Sequence, residues 1–528
     1  MKTNHLLLAL VLIGAVLLAS YRPKESSVPV VPEGAHAGDL VNLEPCMYKA
    51  GDTQYVAECS TLIVPENRSN PDSRLIALPV IRIRALNGGH AEPIFFLMGG
   101  PGKTNLHFKD LDGLVDERDF VQVGYRGIDG SSVLDCPETI EAIKAADDML
   151  SETALDNFSA SIANCAERLQ SEGVDLAGYT LLERAHDLEA ARLALGYEQM
   201  DLLSESVGTR TAMIYAWTYP ESIHRSVMIA INPPGHFLWK AEVIDEQLKY
   251  YSQLCAQDPA CSARTDNLAE TIREVAHNMP ERWLFVPIDP GAVKIGSFFG
   301  LFETSAKPLS APWMFDMWLS AAEGDASGLA MLSLFGEMAW PTSFVWGETA
   351  AVSASTDLPG SLEYLAEANL EDTILGTPGS TWLWGGISGW SQADLLPEEY
   401  RHVQPSDVET LLISGTVDFS TPPQFARDEL LPSLRKGQQV ILQEFGHSTD
   451  TWRIQHDATV RLVNSFFDTG VADTSLFTTQ PVSFDAGPVA LPEMLKILLG
   501  SAAALLLGLV AIVRFVIRRV RRRKAAQL

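Results

Sequence analysis

Positive charge is scarce in this sequence. Of 528 residues, 39 are Lys or Arg against 67 Asp or Glu, a formal net charge of −28. Seven of those cations crowd into the tail at Arg514, Arg518, Arg519, Arg521, Arg522, Arg523 and Lys524, which leaves −35 on the remainder. A field of that sign disfavours nucleic acid and anionic lipid as partners of the main body. Cysteine is scarce too, with six residues and no spacing that resembles a zinc site. Cys46/Cys59, Cys136/Cys165 and Cys255/Cys261 fall into three sequence-near pairs, as expected for disulfides outside the cytoplasm, though spacing alone leaves the connectivity open. Internal repeats are absent.

Long apolar runs occur only at the two ends. Leu6 to Ala19 is an uncharged stretch after Lys2, the pattern of a signal peptide or N-terminal anchor over residues 1–20. No lipobox cysteine follows it. Near the other end, Ile497 to Val513 are free of charge and flanked by Lys496 and Arg514, as a membrane-spanning helix over 494–517 requires. The basic run behind it predicts a cytoplasmic tail at 518–528 by the positive-inside rule, with the main body outside the cytoplasm.

Between the ends, short apolar runs alternate with helical spacing. "EPIFFLMGG" and "DFVQVGYRG" read as buried parallel strands closed by glycines, and "LLERAHDLEAARLALG" as a helix ended at Gly196. "MDLLSES", "SVMIAINPP" and "VETLLISGTVD" are further strands, so the expected fold is α/β, a doubly wound, mostly parallel sheet. From 236 to 400 the strand signature gives way to helical segments rich in Trp, Phe and Met, as an inserted helical cap would show. The predicted organisation is a linker at 21–40, a core in two parts at 41–235 and 401–470, and a second linker at 471–493.

The stretch "MDLLSESVGTR" places Ser206 on a sharp strand-to-helix turn, the position of a nucleophile elbow. The strict G-x-S-x-G pattern is missing, because Ser204 occupies the first glycine slot. Two later segments supply the partners that a nucleophilic serine needs. Asp418 follows the apolar strand in "LLISGTVDFSTPP", and His447 follows the next one in "VILQEFGHSTD". The order Ser206, Asp418, His447 is the α/β-hydrolase order. Main-chain N–H groups of Val207 and of Gly100, in "FFLMGGPGKTN", are the expected oxyanion donors. Gly102-Lys103-Thr104 also matches the end of a phosphate-binding loop, but the first glycine of that motif would be Leu97.

Together "MGGPGKTN", "VGYRGIDGSSVLDCPE", "SESVGTRTAMIYAWTYPE", "LLISGTVDFSTPP" and "GHS" resemble the proline iminopeptidase and tripeptidyl aminopeptidase branch of the α/β-hydrolases, in its exported form. The resemblance runs from about residue 43 to 465. It implies the α/β-hydrolase fold with a helical cap, no cofactor and no metal, a peptide or small acyl substrate, with release of N-terminal residues from short peptides through an acyl-enzyme as the leading activity, and it supports the cysteine pairing above. Met98, Gly124-Tyr125, Ser204 and Val207 depart from the family pattern around the substrate. The resemblance also implies a carboxylate for the substrate amine, with Glu205, Glu303 and Glu337 as candidates. An esterase with the same triad, or a catalytically idle binding ectodomain, are the alternative readings.

Overall fold

The apolar runs that end in glycine form the centre of a nine-stranded sheet. In this computed structural model, residues 29–525 are described apart from 90, 306–308, 368–371, 391–394 and 488, and side chains of 520–525 are also outside the description. The signal or anchor segment at 1–20 and the end of the basic tail therefore lie outside the described residues. The strands are β1 (Leu40–Ala50), β2 (Thr53–Pro65), β3 (Leu75–Ile83), β4 (Ile94–Leu97), β5 (Phe120–Val123), β6 (Met200–Glu205), β7 (Ile223–Ile229), β10 (Thr410–Gly415) and β11 (Gly437–Leu442). A small hairpin, β8 (Arg282–Trp283) and β9 (Val286–Pro287), stands apart.

The sheet order is β1-β2-β3-β5-β4-β6-β7-β10-β11. The first strands pair antiparallel, and β5, β4, β6, β7, β10 and β11 run parallel. Every residue of β4, β5, β6 and β10 is buried, as strands covered on both faces require. The chain steps from β4 outward to β5 and then back past β4 to β6. This reversal opens a crevice at the carboxyl ends of β4 and β6, where ligands of open α/β sheets bind. The order, with the antiparallel edge and a helix-carrying insertion after β7, is that of an α/β-hydrolase.

Helix α1 (Leu181–Leu195) begins on Thr180, whose side chain accepts from the N–H of Glu183, and ends on left-handed Gly196. Helix α2 (Val207–Thr218) starts directly from Ser206. After β7 the chain leaves the sheet and builds a helical cap that includes α3 (Ala241–Gln257), α4 (Pro290–Gly300), α5 (Ala311–Ala322), α6 (Ser327–Ala339), α7 (Trp346–Glu367) and α8 (Pro378–Ile387). Helices α5 and α6 are separated at Gly324, whose φ of +98° is open to glycine. The cap has its own apolar core, with Trp318, Met314, Phe298 and Leu329 fully enclosed.

The linker expected at 471–493 is not free chain. Phe484 stacks on Phe315 of the cap with ring centroids 5.5 Å apart, and the N–H of Val482 donates to Glu444 at 2.6 Å. Apolar residues at alternate positions let this extended run dock. The final helix, α9 (Leu491–Ala525), begins earlier than expected because its first turn packs against the cap, with Leu491 and Leu495 buried. Its stretch from Leu491 to Arg519 is long and apolar enough to cross a membrane. Disulfides join Cys46 to Cys59 across β1 and β2, Cys136 to Cys165, and Cys255 to Cys261.

Candidate active site

Strand β6 delivers Ser206 onto a turn too tight for ordinary backbone. Its φ of +50° and ψ of −126° lie where an L-residue is strained, the kind of conformation that costs about 1–3 kcal/mol and needs enforcement by its surroundings. The N–H of Ser206 donates to the carbonyl of Ile229 at 2.9 Å, and Thr209 donates through its side chain to the Ser206 carbonyl. Close packing explains the neighbouring glycines. A Cβ on Gly208 would lie 2.2 Å from the Leu97 carbonyl oxygen, and one on Gly99 would lie 2.7 Å from Ser206 Cβ. Ser204 meets no such barrier: fully buried, it donates to the Val227 carbonyl at 3.4 Å. The first slot of the motif therefore tolerates a serine here.

Asp418 and His447 leave the ends of β10 and β11 and meet. His447 Nδ1 lies 2.9 and 3.0 Å from the two carboxylate oxygens of Asp418. Asp418, fully buried, also accepts from the N–H groups of Ser420 and Thr421 and from the Thr421 hydroxyl. Burial would raise its pKa, but His447 and these donors hold it below the usual carboxylate value. Burial pulls His447 down, and the Asp418 carboxylate more than reverses this, leaving the imidazole above its ordinary pKa. An ionised Asp418 only accepts, so Nδ1 carries the proton and Nε2 is left as the acceptor.

Ser206, His447, Gly99, Gly100 and Val207 line one cavity of 520 Å³ under the cap. Aromatic side chains form part of its walls, with Phe237, Trp239, Phe299, Phe302, Trp340 and Phe344 among them. The first N–H groups of α2 point out of the helix end, Val207 among them, where anionic oxygen is favoured. Glu205 and Glu303 also line the cavity, whereas Glu337 does not. Glu337 is exposed on α6 and accepts from Ser333, so it is removed from the candidates for the substrate amine. Glu205 accepts from Trp452 Nε1, and burial pushes its pKa up to about 7 against the pull of Trp452 and His447. Glu303 is partly exposed and pairs with Arg453 at 3.9 Å.

Several supporting residues carry no local sequence signal. The N–H of Gly102 donates to the buried Glu348 of α7 at 2.7 Å, and Glu348 pairs with Arg184 of α1. Arg184 lies over the Tyr125 ring at 4.1 Å, and Tyr125 donates to the Met98 carbonyl at 2.9 Å. The glycine loop is thus clamped at both ends by one buried chain of contacts. Two departures from the family pattern, Met98 and Tyr125, touch each other in it. On the other side, Asp450 accepts from Thr304 and from the Gly446 N–H at 3.0 Å, and the His447 N–H donates to the Phe302 carbonyl at 2.6 Å. Only the residue types, scattered over hundreds of positions, were visible in the sequence.

Among known proteins, the chain is similar to the tripeptidyl aminopeptidase of Streptomyces lividans, 24% identical over 285 residues, 50% of this chain and 52% of that protein. It is also similar to the serine protease Hip1 of Mycobacterium tuberculosis, 26% identical over 281 residues, 49% of this chain and 52% of that protein. The chain thus spans about half the length of the curated relatives it matches. No family model matches. Solved structures with some likeness include the proline iminopeptidase of Mycobacterium smegmatis, 16% identical with a TM-score of 0.39, over 78% of this chain and 98% of that one. A serine hydrolase from Cycloclasticus zankles is 12% identical with a TM-score of 0.37, over 79% and 100%.

Proposed function

We propose that this chain is a membrane-tethered serine hydrolase with its catalytic domain outside the cytoplasm, an aminopeptidase that releases N-terminal residues from short peptides. The observation that carries the reading is the convergence of Ser206 and the His447–Asp418 pair on one capped cavity that also holds a buried carboxylate, Glu205. The similarity to the tripeptidyl aminopeptidases supports it.

Ser206 Oγ attacks the substrate carbonyl carbon while His447 Nε2 takes the hydroxyl proton. Asp418 stabilises the imidazolium so formed and keeps the ring in the productive tautomer. The developing oxyanion is held by the N–H groups of Val207 and Gly100, a contribution of about 2.7–4 kcal/mol per donor in such sites. Collapse breaks the C–N bond, and the leaving amine takes the proton from Nε2. Water then gives a proton to Nε2 as it attacks the acyl carbon; collapse breaks the C–Oγ bond, Nε2 returns the proton to Ser206 Oγ, and the acid product leaves. No metal or cofactor enters this sequence. A carboxylate at Glu205 or Glu303 is the partner for the substrate's ammonium.

The aromatic walls favour one second reading, an esterase that accepts apolar acyl groups with the same triad. Prolyl and alanyl arylamides with free amines, compared with their N-acetyl forms and with acetyl and butyryl esters, separate the two. Turnover of the free-amine arylamides alone supports the aminopeptidase, and turnover of the esters alone replaces it. Ser206→Ala is expected to lower kcat by roughly 10⁴–10⁶-fold with the fold intact by circular dichroism. A loss under about tenfold would remove Ser206 from the mechanism.

A further inference from the structure

Outside α9, the exposed large aromatic side chains among the described residues are Phe285 and Phe335, and both belong to the cap. Phe285, 75% exposed, sits with Leu284 at the tip of the β8–β9 hairpin. Phe335 shares the carboxyl-terminal half of α6 with Met338, which is 80% exposed. The hairpin is fixed to the middle of that helix: β8 packs against it, and Asp289, just after β9, donates its N–H to Ser333 Oγ at 2.9 Å.

The direction of α9 gives this patch a partner. Helices α6 and α9 meet at their amino-terminal ends: Pro492 abuts Gly328, and Ser327 Oγ donates to the Pro492 carbonyl at 3.2 Å. They then stay side by side, with Leu495 and Leu499 in the same apolar cluster as Met331 and Leu334. Two helices that touch at their starts and remain in contact run in the same direction. Met338 lies ten residues beyond Gly328, about 15 Å, and Lys496 four beyond Pro492, about 6 Å. Lys496 is the last charge before the apolar span, and it is held by Asp325 and Glu493 at the start of both helices. Met338 therefore projects roughly 9 Å past the level of that ammonium, in the direction the span enters the membrane.

We propose that this end of the cap is a second membrane contact, in which Leu284, Phe285, Phe335 and Met338 enter the interfacial zone of the bilayer that α9 crosses. The proposal rests on the reading of α9 as a membrane span. Arg282 and Trp283, beside the hairpin tip, are of the types that settle at head-group level. Glu337, in the same turn as Met338, is drawn to the flank by Ser333 and stays out of the apolar line. The seat has a consequence for the site. The chain leaves α6 directly into Trp340, Ser343 and Phe344, which line the catalytic cavity, so one wall of that cavity is anchored at the membrane surface.

The test uses the full chain in phosphatidylcholine nanodiscs. All six native cysteines are in disulfides, so single cysteines can be labelled with an NBD fluorophore. Phe285→Cys and Met338→Cys probe the patch, Leu505→Cys probes the span, and Val56→Cys, exposed on an outer strand of the core, is the control. Lipids with a doxyl quencher, placed shallow for the labels at 285 and 338 and deep for the label at 505, are expected to quench the three labels to within about twofold of one another, and to leave the one at 56 unchanged. Quenching at 505 with none at 285 and 338 overturns the proposal and leaves the span standing. No quenching at 505 overturns both. A blue shift at 285 without quenching assigns the patch to a protein neighbour and also overturns it.

Discussion

Glu205 shows how burial sets a residue's chemistry at this site. It precedes Ser206, accepts from Trp452, and has a pKa of about 7 because burial disfavours its charge. If it receives the substrate ammonium, kcat/KM for a free-amine arylamide rises through pH 6–8 as Glu205 ionises, and Glu205→Gln flattens that limb. Ionisation of His447 also shapes this limb, so the separating measurement is the ratio of free-amine to N-acetyl substrate, in which the base cancels. Stability follows the opposite sign. A carboxyl group whose folded pKa is raised stabilises the fold only at low pH, and that contribution is lost as pH rises from the unfolded value through about 7. Glu205→Gln is therefore expected to raise Tm relative to the parent at pH 8, with the difference vanishing near pH 4, measured by scanning calorimetry.

At the scale of elements, the loop after β4 is held by a cap helix rather than by its own turn. Glu348 of α7 takes the Gly102 N–H and pairs with Arg184 of α1, whose pKa falls to about 10 through burial. Removing one partner of such a buried pair costs about 3–5 kcal/mol, because the other charge is left unpaired. Glu348→Leu alone is thus expected to lower Tm. Glu348→Leu with Arg184→Met should recover most of the stability, since both charges leave together. If the clamp positions the oxyanion donors, the double variant still loses about 10–100-fold in kcat with KM within a few-fold. Recovery of kcat along with Tm would reduce the clamp to a structural role.

The elements themselves were largely legible. β4 and β10 are mostly apolar runs closed by glycine or a turn, visible because a strand covered on both faces has no polar alternation, whereas β6, with Asp201, Ser204 and Glu205 buried in it, is marked by the sharp turn that follows at Ser206. The docked chain at 471–490 has the sequence of a linker because its buried residues, Val482 and Phe484 among them, are few and far in sequence from the cap residues they touch. Glu337 was a candidate because it belongs to the cap, and only the rotation of α6 turns it away from the cavity.

In the whole molecule, the first turn of the terminal helix serves the cap, ahead of the stretch long and apolar enough to cross a membrane. Leu491 and Leu495 are each 3% exposed, and at about 1.5–3 kcal/mol per buried leucine they add about 3–6 kcal/mol to the cap. A chain ended after Ser501 keeps both and is expected to retain the parent's urea midpoint and activity without lipid. A chain ended after Ala490 loses them, and its midpoint falls. Equal midpoints would show that the first turn of α9 adds nothing to the cap.

The sequence by itself determined the order Ser206, Asp418, His447, the strand ends that carry them, the acidic body and the apolar, basic-flanked tail, because each is written in local pattern, spacing and composition. The tertiary structure alone decided which acids face the cavity, that burial brings Glu205 to about 7, that Glu348 clamps the glycine loop, and that α6 and α9 run side by side. These depend on contacts between residues separated by roughly 150 to 250 positions, such as Glu348 with Gly102 or Trp452 with Glu205. Such contacts are fixed by how packed elements cross, which local periodicity does not encode.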